Sequence, residues 1–191
     1  MAMLTEQQLH EIGFRSIGKN VRVSDKASIY NAENISIADN ARIDDFCILS
    51  AGSGGIRIGR YVHVGCYVSL IGQGEIVLED FSGLSGRVAL YSSNDDSSGE
   101  FMAHPTIPME YRKVESGRIL IGKHVMVLTG AIILPNVTIG AGAVVGALSL
   151  VKDDCDSFGI YVGCPARKVK ERRRDLLQLE ERLVRAEDQR G

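Results

Sequence analysis

Residues 121–151 read IGKHVM VLTGAI ILPNVT IGAGAV VGALSL V, and their spacing is the strongest indication of the fold. Every sixth residue here is a β-branched aliphatic: Ile121, Val127, Ile133, Ile139, Val145 and Val151. Four residues after each of these anchors stands a small residue or a valine. Alternation along a strand has period two and a helix has period 3.6, so neither produces this spacing. A period of six fits a short strand followed by a turn.

Three such strand-and-turn units make one coil of a triangular parallel β-helix, with the β-branched anchor pointing into the prism. A coil buries its apolar side only against its neighbours, so the repeats must stack. Weaker runs of the same spacing begin at Ile17, Ile37, Ile58 and Leu78, with a two-residue slip between Ile35 and Ile37. A β-sandwich is the alternative, but sandwich strands do not keep one spacing over six consecutive repeats. The pattern therefore predicts an all-β protein.

Composition narrows the class of protein. The chain has 191 residues, 22 basic and 24 acidic, with 21 glycines and no tryptophan, which disfavours a helical bundle. The net charge of −2 argues against nucleic acid as a main partner, because phosphate binding needs a basic excess. No apolar run is long enough for a membrane span, and the polar N-terminus has no signal-peptide core, so we expect a cytoplasmic protein. The four cysteines lack C-x-x-C spacing, which disfavours a zinc site or disulfides.

Three segments depart from the repeat. The first, 1–14, is predicted to be a lead-in helix, because Thr5 to Gln8 form a capping box and Gly13 follows as a stop. The second, 94–118, interrupts the β-helix predicted over 15–164, and a loop of this length is usually functional. We call it the arm. The third, 165–191, is predicted to be a C-terminal helix, since Leu176, Leu179 and Leu183 fall at helical spacing.

The repeats, together with the closing segment Tyr161-Val-Gly-Cys-Pro-Ala-Arg167, resemble the hexapeptide-repeat acyltransferases, in particular the sugar O- and N-acetyltransferases. Ser93 to Phe101 is similar to a subgroup encoded with bacterial surface-polysaccharide genes. The resemblance implies a left-handed parallel β-helix and a homotrimer with sites between subunits. It also implies acetyl-CoA-dependent transfer to a sugar amine or hydroxyl, with a nucleotide-linked 4-amino-4,6-dideoxy sugar of O-antigen or capsule (lipopolysaccharide) biosynthesis as acceptor, and no metal. A galactoside- or maltose-type O-acetyltransferase and a non-catalytic scaffold are the alternatives.

Acyl transfer needs a group that takes the acceptor proton and a donor that stabilises the oxyanion. His63 matches a position that contacts the acceptor in galactoside-type enzymes. The Ala-His104-Pro segment resembles the family's catalytic His-Pro, but the position that matches the catalytic histidine is Asp95, so His104 comes nine residues later (104 − 95 = 9). The base is therefore His104, Asp95 or His63, and substrate contacts are expected from Asn94, Asp96 and His63. An Asx-type turn is the alternative for the aspartates.

The resemblance also assigns a coenzyme A site. Thr129, Gly146, Ala147 and Ser149 are expected along the pantetheine groove, where small side chains leave room, although small residues also suit coil corners. Lys152, Arg167 and Lys168 are expected at the 3′-phosphate, which cationic side chains recognise. The basic run 168–174 is alternatively a solvated helix face. A carbonic anhydrase of the gamma type would need three coil histidines, and the sequence offers only His63 and His124.

Overall fold

A computed structural model describes residues 2–189. The chain winds into a three-sided parallel β-helix, which carries an inserted arm and ends in an α-helix. The predicted fold class is thereby confirmed. Successive strands along the chain belong to different faces, and each strand pairs with its equivalent one coil later.

The three faces are parallel sheets. The first sheet comprises Ser16–Ile17, Ile35–Ile37, Ile56–Ile58, Ile76–Leu78, Ile119–Ile121 and Val137–Ile139. The second comprises Arg22–Val23, Arg42–Ile43, His63–Val64, Gly83–Leu84, Met126–Val127, Val144–Val145 and Gly159–Val162, and is extended by Arg167–Glu171. The third comprises Ser28–Tyr30, Ile48–Ala51, Ser69–Gly72, Ala89–Tyr91, Ile132–Ile133 and Leu150–Val151.

The core is a stack of the anchor side chains that the six-residue period singled out. In the second sheet the stack is one residue per coil, and each member is at most 1% exposed: Val23, Ile43, Val64, Leu84, Val127 and Val145. Burying one such aliphatic side chain contributes roughly 1.5–3 kcal/mol, so the coils hold together through these columns.

Coil length explains why the repeat is irregular in the first half of the chain. Ile121 pairs with Ile139, so this later coil consists of three hexapeptides and nothing more. Ile37 pairs with Ile17 one coil before it and with Ile58 one coil after it, so both of these early coils are longer than three hexapeptides. The 3-10 helix Ala32–Asn34 lies in the corner between the third and first sheets and takes up additional residues there. This longer corner causes the two-residue slip in the repeat at Ile37.

A column of aromatic rings lines the corner between the first and second sheets. Tyr61, Phe81 and His124 occupy equivalent corner positions with φ near +60°. The Phe81 ring stacks on Tyr61 at 5.2 Å and on His124 at 5.1 Å between centroids. The left-handed conformation is unfavourable for bulky side chains, and ring stacking between coils offsets part of that cost.

Residues outside the coils form a helix at the front and a hairpin in the arm. The lead-in helix is Glu6–Ile12, capped by Thr5, and its Leu9 is buried against the first coil. The arm leaves the third sheet and forms an antiparallel hairpin of Ser93–Asp95 with Val114–Ser116. A 3-10 helix, Met109–Tyr111, lies between the two hairpin strands.

The C-terminal segment differs from the prediction of one helix over 165–191. Arg167–Glu171 form a strand antiparallel to Gly159–Val162, and the helix is Leu176–Asp188. The strand pairs with the otherwise open edge of the last coil, and satisfying those backbone groups outweighs the helical pattern. The basic run 168–174 therefore lies on this strand and on the short irregular segment after it. Residues 190 and 191 lie outside the described residues.

The C-terminal helix turns back along the aromatic column. Glu180 accepts a hydrogen bond from His124 Nε2 at 2.7 Å and forms an ion pair with Lys123, and Glu187 pairs with Arg60 at 3.0 Å. Arg172, just before the helix, donates to the His124 carbonyl at 2.8 Å. Within residues 2–189, no helix is long and apolar enough to cross a bilayer.

Candidate functional site

Two clefts on the prism contain two of the three predicted catalytic residues, His63 and Asp95. The first, of about 450 Å³, opens on the second sheet and the corner after it. We call it the His63 cleft; it is lined by Asp44, His63, Gly65, Cys66, Gly83, Leu84, Ser85, Gly86 and Met126. The second, the arm cleft, has about 430 Å³ and lies where the arm leaves the third sheet. Asn94, Asp95, Pro105 and Arg112 are among its lining residues.

His63 belongs to a charged cluster that spans two adjacent coils. His63 Nε2 donates to Asp44 Oδ2 at 2.8 Å, and Arg42 Nε donates to Asp44 Oδ1 at 2.7 Å. Burial raises the pKa of the Asp44 carboxyl, but hydrogen bonds from His63 and Arg42 outweigh it and hold that pKa below its ordinary value. The ring of His63 is thereby oriented, and Nδ1 of its neutral form is left as an acceptor.

The arm aspartates are in different environments. Asp95 lies in the hairpin, pairs with Val114 and lines the arm cleft. The Asp96 carboxylate accepts hydrogen bonds from Ser98 Oγ at 2.8 Å and from the Gly99 N–H at 3.1 Å. The Ser98 bond lowers the pKa of Asp96. Asp96 therefore forms the Asx-type turn of the alternative interpretation. Of the two carboxylates, Asp95 is the one that lines the arm cleft.

His104 lies in a turn at the surface of the arm. Its φ is +69°, its side chain is exposed, and Nδ1 lies 2.9 Å from Thr106 Oγ1. Its neighbour Pro105 lines the arm cleft, but the imidazole of His104 lines neither cleft described above. Within one chain, then, His63 and Asp95 belong to separate clefts and His104 is in neither.

The residues expected along the pantetheine groove fall into two kinds. Thr129 and Ala147 are exposed at equivalent corners after Met126–Val127 and Val144–Val145. Gly146 is buried, and a Cβ at its position would lie 2.6 Å from Val162 Cγ1. Ser149 is buried too, and its Oγ accepts a hydrogen bond from the Gly163 N–H at 3.0 Å. Gly146 and Ser149 therefore hold coils together, whereas Thr129 and Ala147 present surface to a ligand.

The three predicted phosphate contacts are exposed at the end of the prism. Lys152 and Arg167 each lie 3.4 Å from Asp153 Oδ2, and Lys168 lies 2.7 Å from Glu171 and 3.4 Å from Asp156. Exposed ion pairs of this kind contribute little to stability, so a dianionic phosphate can replace their carboxylates.

Arg42, Asp44 and Ser85 belong to the His63 cleft or its cluster, but the sequence pattern did not single them out. The first two precede His63 by one coil, and Arg42 pairs with His63 in the second sheet. The greater length of the early coils is the signal that would have found Arg42 and Asp44, because it sets which residues stand beside His63. His124, the second histidine of the carbonic anhydrase alternative, instead donates a hydrogen bond to the Glu180 carboxylate. Over residues 2–189, no cluster of three or more His, Cys, Asp or Glu is arranged to hold a metal ion.

The fold and its repeats define the class of protein as a hexapeptide-repeat transferase, and the family pattern "Bacterial transferase hexapeptide (six repeats)" matches residues 118–153. The chain belongs to the hexapeptide-repeat acyltransferase family, since it is 51% identical over 180 residues to a dTDP-4-amino-4,6-dideoxy-D-glucose acyltransferase of Escherichia coli, with 94% of each chain covered. It is 28% identical over 150 residues to the putative lipopolysaccharide biosynthesis O-acetyl transferase WbbJ of Escherichia coli K12, covering 78% and 74% of the two chains.

Solved structures give the same assignment. AntD, an N-acyltransferase from Bacillus cereus, superposes with a TM-score of 0.91 at 44% identity, covering 96% of this chain and 98% of that one, in a complex with dTDP and coenzyme A. A second AntD complex contains dTDP and 3-hydroxybutyryl-CoA, and superposes with a TM-score of 0.90 over 97% and 98% of the two chains. Some AntD structures carry a replaced aspartate and others a replaced serine, at positions ten residues apart in that chain.

Proposed function

We propose that this protein transfers an acetyl or related short acyl group from coenzyme A to the 4-amino group of a dTDP-linked 4-amino-4,6-dideoxy sugar. The observation that carries this proposal is the 51% identity, over 94% of both chains, to an enzyme named for that acceptor. The AntD complexes with dTDP and coenzyme A support both substrate classes.

Two residues stand out as counterparts of those replaced in AntD. Ser85 and Asp95 are the single serine–aspartate pair in the sequence in which the aspartate follows by ten residues. Ser85 lies in the His63 cleft, and Asp95 lies in the arm cleft. A site that uses both residues must therefore combine two clefts that are separate within one chain.

We infer that a homotrimer brings these parts together, with the arm of one subunit over the His63 cleft of the next. Apolar side chains on the third sheet and the corner before it are between 37% and 56% exposed, which is unfavourable unless they are covered: Tyr30, Phe46, Ile48, Tyr67 and Ile132. Three copies arranged about an axis would bury these surfaces and place Asp95 opposite Ser85.

The reaction then follows from the groups in the combined site. The neutral amine nitrogen attacks the thioester carbonyl carbon, a C–N bond forms, and the carbonyl oxygen becomes an oxyanion to which the Ser85 hydroxyl can donate. Asp95 accepts the proton from the new ammonium, and the C–S bond breaks. The departing coenzyme A thiolate takes that proton and leaves as the thiol, so charge and protons balance. His63, oriented by Asp44, contacts the acceptor.

Incubation of the protein with acetyl-CoA and a panel of acceptors tests the function. We expect free thiol to appear with dTDP-4-amino-4,6-dideoxyglucose and not with galactosides or maltose. The product should resist hydroxylamine, because an amide does and an ester does not. Thiol release with galactosides or maltose alone would establish an O-acetyltransferase, and absence of coenzyme A binding would favour the scaffold.

Complementation between inactive variants tests the shared site. Asp95→Asn and Ser85→Ala are each expected to be nearly inactive. When they are co-expressed, random mixing gives about a quarter of the interfaces an intact Asp95 and an intact Ser85, so activity should return. If both residues acted within one chain, every site would lack one of them and the mixture would remain inactive.

The setting of the reaction is also a proposal. Acyl-CoA and nucleotide sugars are cytoplasmic metabolites, which supports a cytoplasmic enzyme. The name of the WbbJ relative supports a place in lipopolysaccharide biosynthesis. Chemically, the reaction must follow an amination that installs the 4-amino group, because that amine is the acceptor.

A further inference from the structure

Gly83 leaves a notch in the floor of the His63 cleft. It lies on the second sheet between His63 of the preceding coil and Met126 of the following coil, in direct register with both. These two neighbours have long side chains that are about half exposed, 55% for the His63 side chain and 43% for Met126. The missing side chain of Gly83 therefore opens a gap one residue wide between a polar wall and an apolar one.

The fold itself does not require a glycine at this position. Gly83 is in a regular strand, its φ is outside the left-handed region, and a Cβ built on it meets no atom within 4 Å. No other glycine in the described part of the chain combines open space with an ordinary φ. By contrast, a Cβ at Gly74 would approach the Gly117 carbonyl oxygen to 2.3 Å. Glycine in a strand costs about 0.5–1 kcal/mol relative to alanine, so Gly83 gives up stability without a packing reason.

The two walls of the notch differ in the chemistry that they present. On the side of the earlier coils stand His63 and the Asp44 carboxylate that orients it. On the side of the later coils stands Met126, and beyond it lie the corners of Thr129 and Ala147 that the proposed pantetheine groove follows. The polar sugar fits the first wall, whereas the acyl group is the apolar end of the thioester and fits the second.

We propose that Gly83 determines which acyl groups the enzyme accepts, because the notch receives the part of the acyl chain beyond the thioester carbonyl. Ser85 lines the same cleft two residues further on, which places the carbonyl beside the notch. The inference rests on the proposed function. It predicts that the protein uses 3-hydroxybutyryl-CoA as well as acetyl-CoA, since an empty notch flanked by a flexible methionine admits a four-carbon chain.

The test measures kcat/KM for acetyl-CoA and for 3-hydroxybutyryl-CoA with the dTDP amino sugar, in the parent protein and in Gly83→Ala. A methyl group in a hydrophobic subsite changes selectivity by about tenfold or more. We therefore expect transfer from 3-hydroxybutyryl-CoA to fall at least about tenfold further than transfer from acetyl-CoA. Adding Met126→Ala to Gly83→Ala should restore the longer donor, because truncating the apolar wall returns the lost space.

The matched control is Thr138→Val, which changes an exposed outward position on the first sheet. It should leave the ratio of the two donors unchanged. A Gly83→Ala variant in which the ratio of kcat/KM for the two donors is unchanged would overturn the proposal. So would a parent protein that cannot use 3-hydroxybutyryl-CoA. A Gly83→Ala protein of altered oligomeric mass would also overturn it, by showing that the glycine serves contact between subunits. A parent inactive with every amino sugar would instead reject the proposed function.

Discussion

His63 Nε2 and Asp44 Oδ2 lie 2.8 Å apart, although 19 residues separate them in the chain. One turn of the β-helix brings the two together, and Arg42 completes the cluster from the strand that pairs with the strand of His63. The buried carboxylate fixes which nitrogen of the ring carries the proton. The stacking of adjacent coils therefore sets the orientation of the His63 ring in its cleft.

Replacing Asp44 with asparagine should lower stability in a pH-dependent way. The pKa of Asp44 is lowered in the folded protein, so its stabilising effect is fully present above the unfolded value of 3.8 and is lost as pH falls through the folded pKa. At pH 7 we expect Asp44→Asn to cost about 1–3 kcal/mol of unfolding free energy, because charge-assisted hydrogen bonds are lost. Chemical denaturation at pH 7 and below pH 3.8 checks this, and an undiminished difference in acid would contradict it.

Asp95→Asn tests whether Asp95, rather than His104 or His63, is the general base. Loss of a general base costs about 100-fold or more in kcat, with KM for acetyl-CoA little changed. The control is Glu115→Gln on the opposing hairpin strand, whose side chain is 70% exposed. If His104→Ala or His63→Ala lowers kcat more than Asp95→Asn does, the assignment of the base moves to that histidine.

Arg167→Ala should weaken binding of the donor through its 3′-phosphate. We expect KM for acetyl-CoA to rise about tenfold, the size of one lost charge-assisted contact. With 3′-dephospho-acetyl-CoA, the parent and the variant should have the same KM, because the group that Arg167 recognises is absent. A KM defect that persists with the dephospho donor would place Arg167 elsewhere.

Gly146→Ala should destabilise the coil junction. Its Cβ would lie 2.6 Å from Val162 Cγ1, and such overpacking costs about 1–3 kcal/mol. Thermal unfolding should show a lower Tm for Gly146→Ala, whereas Gly83→Ala should not lower it, since its Cβ meets open space. Val162→Ala in the Gly146→Ala background should recover part of the loss; no recovery would exclude this contact as the cause.

Glu180→Gln should loosen the C-terminal helix from the aromatic column. Burial raises the pKa of Glu180, but Lys123 and His124 outweigh it and lower that pKa below 4.5, so the stabilisation it gives is present above pH 4.5 and fades in acid. Losing about 1 kcal/mol would lower Tm by about 2–4 °C for a chain of this size.

Limited proteolysis of the C-terminal segment should then be faster in Glu180→Gln than in the parent. Glu181→Gln is the control, because Glu181 is 69% exposed and its ion pair with Arg185 is 3.9 Å long. Equal Tm values for Glu180→Gln and Glu181→Gln would show that the helix does not depend on this contact.

The candidate site was only partly predictable from the sequence. The repeat register and the family pattern predict His63, Asp95 and the corner residues Thr129 and Ala147, and the structure places His63 and Asp95 in clefts and the two corner residues at the surface. Asp44 was not found, because its role depends on an early coil that is longer than three hexapeptides. The turn that Asp96 forms depends on the hydrogen bond with Ser98, which residue spacing does not specify.

The β-helix follows from the sequence alone, because a hydrophobic period of six has one repeating geometry that buries every anchor. The short lead-in helix follows from it too, since the capping of Thr5 by Gln8 is a local interaction. The conformation of the C-terminal region depends on long-range contacts. The strand Arg167–Glu171 forms because the last coil offers an unpaired edge, and the helix lies where Glu180 meets His124. Tertiary structure also separated the His63 and arm clefts, because long-range contacts depend on where each coil closes and not on local pattern.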